Sequence, residues 1–472
     1  MPRITRRHFL AASLGLPALL LTCGPPEETS VKPVPPPQAF GHPPSFEDVI
    51  RSVPAPVATP AVKGPVDLWL FAWDDPIERR LWFTVRQQLE SDLPHIRLRQ
   101  EFYQRPVEEA VAVAAAAGLP PEVALTQDMY FPHWLERNLF VNIQAFVSNS
   151  LGEEVASDKP EAALKAFRYY PEAKRLGIGD YYGLPWRLNP RLLFINVGML
   201  RKHGHDALLA RKRWTLETAH QAALALTQGG SDNRSVETGI GFPDSWFQSL
   251  PRLRRGGGDV LDVESNVSAL ASPEVAGTYQ VLQDWRRSSD VAPQAGKSGA
   301  DTYAQQFATY RLAMFIGNAR DMFRLRTADV TWQARPLYPI AGGESQTLAT
   351  YEGLAIITGS QQIDAAWEFV TWALHPEAQA HVLASENALP VLASVIASGQ
   401  VESHYSDTLL RGLDAQRSLP IAATFPLYSP VIAHYYHRMM NGEHAPVAET
   451  LGELHTLLSF ILERQTLPNQ WQ

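Results

Sequence analysis

The chain has 472 residues with 45% apolar and 19% charged content, which is ordinary soluble composition and enough length for two or three domains. Its formal net charge of −8 falls to −11 without residues 1–22, which hold three arginines and no acid. Such an acidic body, with no basic run later in the chain, argues against general nucleic-acid binding, which depends on neutralising phosphates.

The first 23 residues, MPRITRRHFLAASLGLPALLLTC, join a charged start to an apolar run that ends just before the only cysteine. Phe9 to Leu21 is too short to cross a bilayer as a helix, so residues 1–22 read as an export signal. Arg6 and Arg7 resemble a twin-arginine signal. Leu20 to Cys23, LLTC, resembles a lipoprotein box, with Thr22 where a smaller residue is usual, and implies Cys23 as a lipidated N-terminus. A plain secretory signal with an incidental Cys23 is the alternative, and a single cysteine excludes a disulfide framework. Residues 25 to 60 carry eleven prolines, which favours an extended tether over a packed core.

The body opens with VDLWLFAW, Val66 to Trp73, apolar on both faces as a strand covered on both sides would be. Ile77, Leu81, Val85 and Leu89 then recur at helical spacing, after Asp75 as N-cap and Pro76 in the first turn. The alternation continues with the strand HIRLRQEFY, the helix VEEAVAVAAAAG closed by Gly118, and the strand PEVALTQ. Strands alternating with helices predict an open α/β sheet, whose ligands sit outside the carboxyl ends of the strands. Those ends are Trp73-Asp74, Phe102-Tyr103 and Gln127-Asp128.

YYGLPWRLNPRLLFIN, Tyr181 to Asn196, couples a polar entrance to a buried-strand pattern, LLFI. From about 200 to 330 helices dominate, including TLETAHQAALALTQ, capped by Thr215, and PEVAGTYQVLQDWRRSS. A second α/β run follows: WQARPLYPI, YEGLAIITGS and a helix in which Ala366, Phe369, Val370, Ala373 and Leu374 form one stripe. No internal repeat and no transmembrane segment is visible.

The ordered motifs AAAAGLPPEV, LERNLFVNI, YYGLPWRLNPRLLFIN, LRRGGGDVLD, LAMFIGN, AAWEFVTWALHPEAQ and NALPV resemble the extracellular solute-binding proteins of ABC importers, in particular the maltose-binding-like group that captures sugars. The resemblance runs from Val66 to about Leu462. The chain departs from that pattern at Glu122, at Leu216, at Tyr310, where a glycine is usual, and at Arg320, where a stacking aromatic is often placed.

The resemblance implies an α/β, two-lobed periplasmic-binding-protein fold (type II-like) with a cleft between the lobes and hinge crossings. Residues 65–188 plus 338–393 form the expected N-terminal lobe, and 189–337 plus 394–472 the C-terminal lobe, after a tether at 23–64. Crossings are expected near Leu188 to Arg191, Pro336 to Pro339 and Val391 to Val395.

Sugar binding needs flat aromatic faces for C–H surfaces and polar side chains for hydroxyls. Trp69, Trp367 and Trp372 read as core packing, whereas Trp73, Trp186 and Trp246 are expected to stack on the ligand, with Tyr428 as a further aromatic wall. Asp74, Gln127, Asp128, Asn189 and Asp244 are expected to take hydroxyls; Asp75 is occupied as a cap. Arg187, Arg191 and Arg320 raise a second hypothesis, a sugar acid, sugar phosphate or other anionic solute, since guanidinium pairs bidentately with both anions. The same fold could also serve a sensor or adhesin without transport, or a hydrolase or lyase using the cleft acids.

No G-x-S-x-G elbow or H-E-x-x-H helix occurs, and Glu108-Glu109 and Glu153-Glu154 read as solvated charges rather than a hydrolytic pair. His203, His205, His434 and His437 read as surface helix residues, and Gly256 to Gly258 as a turn rather than a phosphate cradle. The expectation is therefore a receptor and not an enzyme, with no cofactor and no metal. Its partners would be a small solute, ABC permease subunits and, through a lipid anchor, the membrane; it would be a monomer exported to the periplasm or cell exterior.

Overall fold

The computed structural model describes residues 65–104, 106–150, 158–210, 214, 216–227, 238–241, 245–287, 300–336, 348–398, 421–440 and 445–464. The expected export signal, Cys23, the proline-rich stretch, Thr215, Glu153-Glu154 and Asp244 lie outside these residues. Two sheets organise the chain into two lobes. Strand β1 (Val66–Trp73) leads to helix α1 (Pro76–Asp92), β2 (Ile96–Tyr103), α2 (Val107–Ala116), β3 (Val123–Gln127) and the short α3 (Phe131–Leu135). The start of α1 forms as its sequence requires, with the Ile77 N–H donating to the Asp75 carboxylate at 2.8 Å.

The chain passes through β4 (Leu184–Pro190) straight into β5 (Leu192–Asn196). After the helical region, which includes α4 (Trp246–Arg255), come β6 (Met314–Gly317), α5 (Ala319–Arg326), β7 (Trp332–Pro336), β8 (Ala349–Ile356), α6 (Ile363–Trp372), β9 (Leu389–Pro390), α7 (Ala393–Ala397), α8 (Phe425–Met440) and α9 (Val447–Arg464). The large sheet has the order β9-β4-β8-β3-β1-β2, and the small one β6-β5-β7. β1 pairs parallel with β2 and β3; β8 pairs antiparallel with β3 and β4, with Glu352 opposite Gln127 and Thr350 opposite Asn189.

β4 and β5 belong to different sheets, so the chain changes lobe at Arg191. Period-2 alternation explains the LLFI run beyond it. Leu192 and Phe194 join a core cluster continuous with the large sheet, while Leu193 and Ile195 join a second cluster. Phe194 stacks on Phe315 at 5.0 Å, and the second cluster packs the opposite face against α4, α8 and α9. Each such buried leucine or isoleucine contributes about 1.5–3 kcal/mol of transfer free energy. Val395 and Ile396 of α7 pack in the first cluster.

Two residues differ from the sequence expectation in their surroundings, and a third, Tyr310, shows why the family pattern has a glycine there. Trp69 is 41% exposed, because the first half of β1 is covered on one face only. Glu108, read as a solvated charge, is buried; its carboxylate accepts from Thr126 Oγ1 at 2.5 Å and from the Gln127 N–H at 3.1 Å, clamping the end of β3. Tyr310, at the position where a glycine was expected, has φ +59°, the left-handed region that favours glycine. Trp367 and Trp372 are buried as expected, and among the described residues no helix is long and apolar enough to cross a membrane.

Candidate functional site

One edge of the large sheet gathers the chemistry. Its hydrogen bonds place the carboxyl ends of the parallel strands side by side: the Asp74 N–H donates to Tyr103 O at 2.8 Å, and the Asp128 N–H to Tyr351 O at 3.0 Å. Asn189, at the far end of β4, is opposite Thr350. With roughly 4.8 Å between strands, the edge from Asp74 through Asp128 to Asn189 spans about 15 Å.

The two edge aspartates have opposite environments. Asp74 is exposed, and a hydrogen bond from Arg79 Nε at 2.7 Å holds its carboxyl below the usual range. Asp128 is 1% exposed, and neither carboxylate oxygen has a hydrogen bond of good geometry, the Tyr351 and Met129 N–H groups being near but poorly placed. Burial pushes its carboxyl up to about 8, against the pull of the Tyr351 and Met129 N–H groups and with the help of the Glu352 charge. The buried Tyr351 hydroxyl is also without a partner, and burial followed by the Asp128 charge raises it far above its ordinary value. Gln127, buried beside Asp128, donates to Glu352 Oε1 at 3.2 Å.

The aromatic residues picked out in the sequence are core residues in this structure. Trp73, Trp186, Trp246 and Tyr428 are each buried. Trp186 stacks on Trp82 at 5.5 Å, and Trp246 faces Phe425 at 6.3 Å. Trp73 ends a strand whose last four residues are all covered, and it lies 5.2 Å under the Arg187 guanidinium. Arg187 is itself buried, paired with Glu78 and Glu352, so it is neutralised inside the first lobe and is not offered to a solute. Strand ends and loops are exposed only where nothing packs over them, and here Trp82 of α1 covers Trp186 while Phe425 of α8 covers Trp246.

A different aromatic set frames open space. A cavity of about 230 Å³ lies between the first lobe, through Pro106, Glu109, Tyr130, His133 and Trp134, and the start of α8, through Phe425, Pro426, Ser429 and Pro430. Tyr130 packs edge-on to Phe425 at 6.2 Å, and the His133 Nδ1–H donates to Ala423 O at 2.9 Å, so the lobes touch here. The signal for these residues was present: YFPHW follows Asp128 almost directly at a strand's carboxyl end, and Phe425 precedes Tyr428 by one helical turn.

Asn189 lies on the crossing, where its Oδ1 accepts the Ala319 N–H at 3.3 Å, joining β4 to the first turn of α5. Arg191 and Arg320 flank that contact along the chain; each is partly exposed, and each has an Nε shut off from water with no acceptor. The structure thus brings Asp74, Gln127, Asp128 and Asn189 to one edge and removes Trp73, Trp186, Arg187, Trp246 and Tyr428 into the cores.

The chain belongs to the bacterial extracellular solute-binding protein family, whose model matches residues 100–380. Solved structures with the same two-lobed fold include an ABC substrate-binding protein from Listeria monocytogenes in complex with cycloalternan, at 14% identity and TM-score 0.72, covering 84% of this chain and 99% of that one. The sugar-binding protein MalE from Xanthomonas citri matches at 18% identity and TM-score 0.69, over 85% and 98% of the two chains. The GacH receptor of Streptomyces glaucescens, solved unliganded and with acarbose, matches at 17% identity and TM-score 0.67, over 84% and 98%. No curated protein sequence matches the chain.

Proposed function

We propose that the protein is an exported lipoprotein, anchored through Cys23, that captures a carbohydrate between its lobes and delivers it to an ABC permease. The observation that carries the reading is the Asp128 carboxyl group: buried at the carboxyl end of β3, without a hydrogen bond of good geometry, and two residues from Tyr130 of the interlobe cavity. A buried polar group without a partner costs about 1–3 kcal/mol, a cost that a ligand hydroxyl removes on binding. Tyr130, Trp134 and Phe425 supply the apolar faces that sugar C–H surfaces need. The cavity is smaller than the roughly 300–1,000 Å³ of a drug-sized site, so it suits one sugar ring as it stands.

In this reading Asp74, Asp128 and Asn189 take hydroxyls, residues 65–188 with 338–393 and 189–337 with 394–472 form the two bodies, and closure about the crossings retains the ligand without chemistry. Sugar complexes of structurally similar binding proteins support the same class of solute. The test is calorimetry and thermal shift of the chain with maltotriose, mannobiose and a cyclic glucan. Saturable binding with the sugar recovered unchanged supports a receptor; turnover of a bound sugar overturns it in favour of a cleft hydrolase or lyase.

A further inference from the structure

We propose that the solute carries an anionic group, carboxylate or phosphate, seated at the lobe crossing between Arg191 and Arg320. This rests on the carbohydrate reading and adds the charge class of the ligand to it. Topology brings the backbones of both arginines to the crossing between the two sheets. Gly317 at the end of β6 and Pro336 at the end of β7 both pair with Leu192, the first residue of β5, so three strand ends converge beside Arg191. α5 starts immediately after β6, and the Asn189 contact to Ala319 N holds its first turn against the crossing. Arg320 is the next residue of that turn, and Arg191 shares the side of Asn189 in an extended chain. The Arg191 N–H donates to Leu348 O at 2.8 Å, which fixes its backbone beside the return crossing.

Charge is unevenly matched around this point. Asp74 is held by Arg79, and Glu78 and Glu352 share Arg187. Asp128 is buried without a cationic partner, and its raised carboxyl is mostly protonated at neutral pH. Asp321 is the one carboxylate acting on Arg191 among the described residues, but its Oδ2 is engaged by the Asn318 N–H in the capping box of α5, and its Oδ1 stands 3.9 Å from Arg324. Among the described residues neither Arg191 nor Arg320 has a side-chain hydrogen bond or ion pair, and each keeps one N–H out of water with nothing to receive it. Burial lowers the Arg191 guanidinium from its ordinary value, the mark of a cation short of compensation. A planar, permanently charged guanidinium suits an oxyanion better than a hydroxyl.

The experiment measures Kd for the full chain with maltotriose, digalacturonate, glucose 6-phosphate and inorganic phosphate, at low and high salt, for the native protein and for Arg191→Gln and Arg320→Gln. The expected result is at least about tenfold tighter binding of an acidic probe than of maltotriose, with the preference weakened by salt and lost in Arg320→Gln, whose unchanged thermal unfolding shows that the fold is intact. Digalacturonate and glucose 6-phosphate distinguish carboxylate from phosphate. Equal or better binding of maltotriose, unchanged in both variants, overturns the anion site and leaves the carbohydrate reading standing. Arginine-dependent binding of inorganic phosphate with no binding of any sugar keeps the anion site and overturns the carbohydrate reading; no binding of any probe overturns both.

Discussion

The Arg187 guanidinium stands 2.7 Å from the Glu78 carboxylate with both side chains 1% exposed, and it pairs on its other side with Glu352. Burial alone would lower this arginine, but Glu352 and Glu78 together hold it above its ordinary value. Three charges on α1, β4 and β8 thereby tie a helix to the middle of the large sheet.

Removing one member of such a group is far worse than removing all of it, because the remaining charges are buried without compensation. Arg187→Met is expected to lose about 3–5 kcal/mol of unfolding free energy in urea titration. Glu78→Gln and Glu352→Gln added to Arg187→Met are expected to restore most of that loss. A single variant as stable as the native protein would show that the triad is not charged in the folded state.

The residues of this triad also mark what the sequence could convey. Periodicity sufficed for the strands and helices: Leu192 to Ile195 form a strand, Asp75 caps a helix, and the strand ends near Asp74 and Asp128 meet at one edge. Pairing between distant segments is not written in local pattern. Nothing around Arg187 announces that Glu78 and Glu352, 109 and 165 residues away, converge on it, and without them a buried arginine looks like a cleft arginine. The burial of the tryptophans was illegible for the same reason, since what covers Trp186 is Trp82 from a helix about a hundred residues earlier. Tyr310 was the reverse case, a local departure from a family glycine that the backbone makes visible as φ +59°.

Tryptophan fluorescence separates core from cleft. Trp134 lines the interlobe cavity, whereas Trp186 is wholly buried in the first core. Saturating ligand is expected to change the emission of the native protein, with Trp134→Phe abolishing most of the change. Trp186→Ala is expected to cost about 3–5 kcal/mol of stability through the cavity it leaves. A ligand signal that survives Trp134→Phe and disappears in Trp186→Phe would place the sugar elsewhere.

Asp128 predicts an unusual pH dependence. Its carboxyl is raised by burial to about 8 in the folded chain, against about 3.9 for an unfolded aspartate. A raised folded value means that its stabilising contribution is complete below about pH 4 and is lost as pH rises through 8. Asp128→Asn removes this titration, so its stability relative to the native protein should improve between pH 5 and pH 8, by at most about 1.4 kcal/mol per unit. Urea unfolding of both proteins at pH 5, 6.5 and 8 measures the difference. Parallel curves would mean that Asp128 is solvated and ionised in the folded protein.

Closure of the lobes should itself respond to pH. His133 on α3 bonds Ala423 just before α8, across the two lobes and away from the crossing at Arg191. Burial, assisted by Arg137, lowers the imidazole below its ordinary value, while the Ala423 carbonyl, Glu136 and Glu109 oppose the shift. Opening the lobes would solvate the ring and return it towards about 6.5. The contact therefore favours closure fully above about pH 6.5 and loses that effect as pH falls towards the depressed value, because protonation is easier in the open form. His133→Ala removes a net interaction of about 1 kcal/mol, equivalent to roughly a fivefold weaker Kd, and should raise the unliganded radius of gyration in small-angle scattering. His133→Gln offers an amide N–H that does not titrate, so its Kd should vary less than that of the native protein between pH 7.5 and 5.5. Identical pH slopes for the two proteins, with an unchanged scattering curve for His133→Ala, would reduce this contact to simple packing.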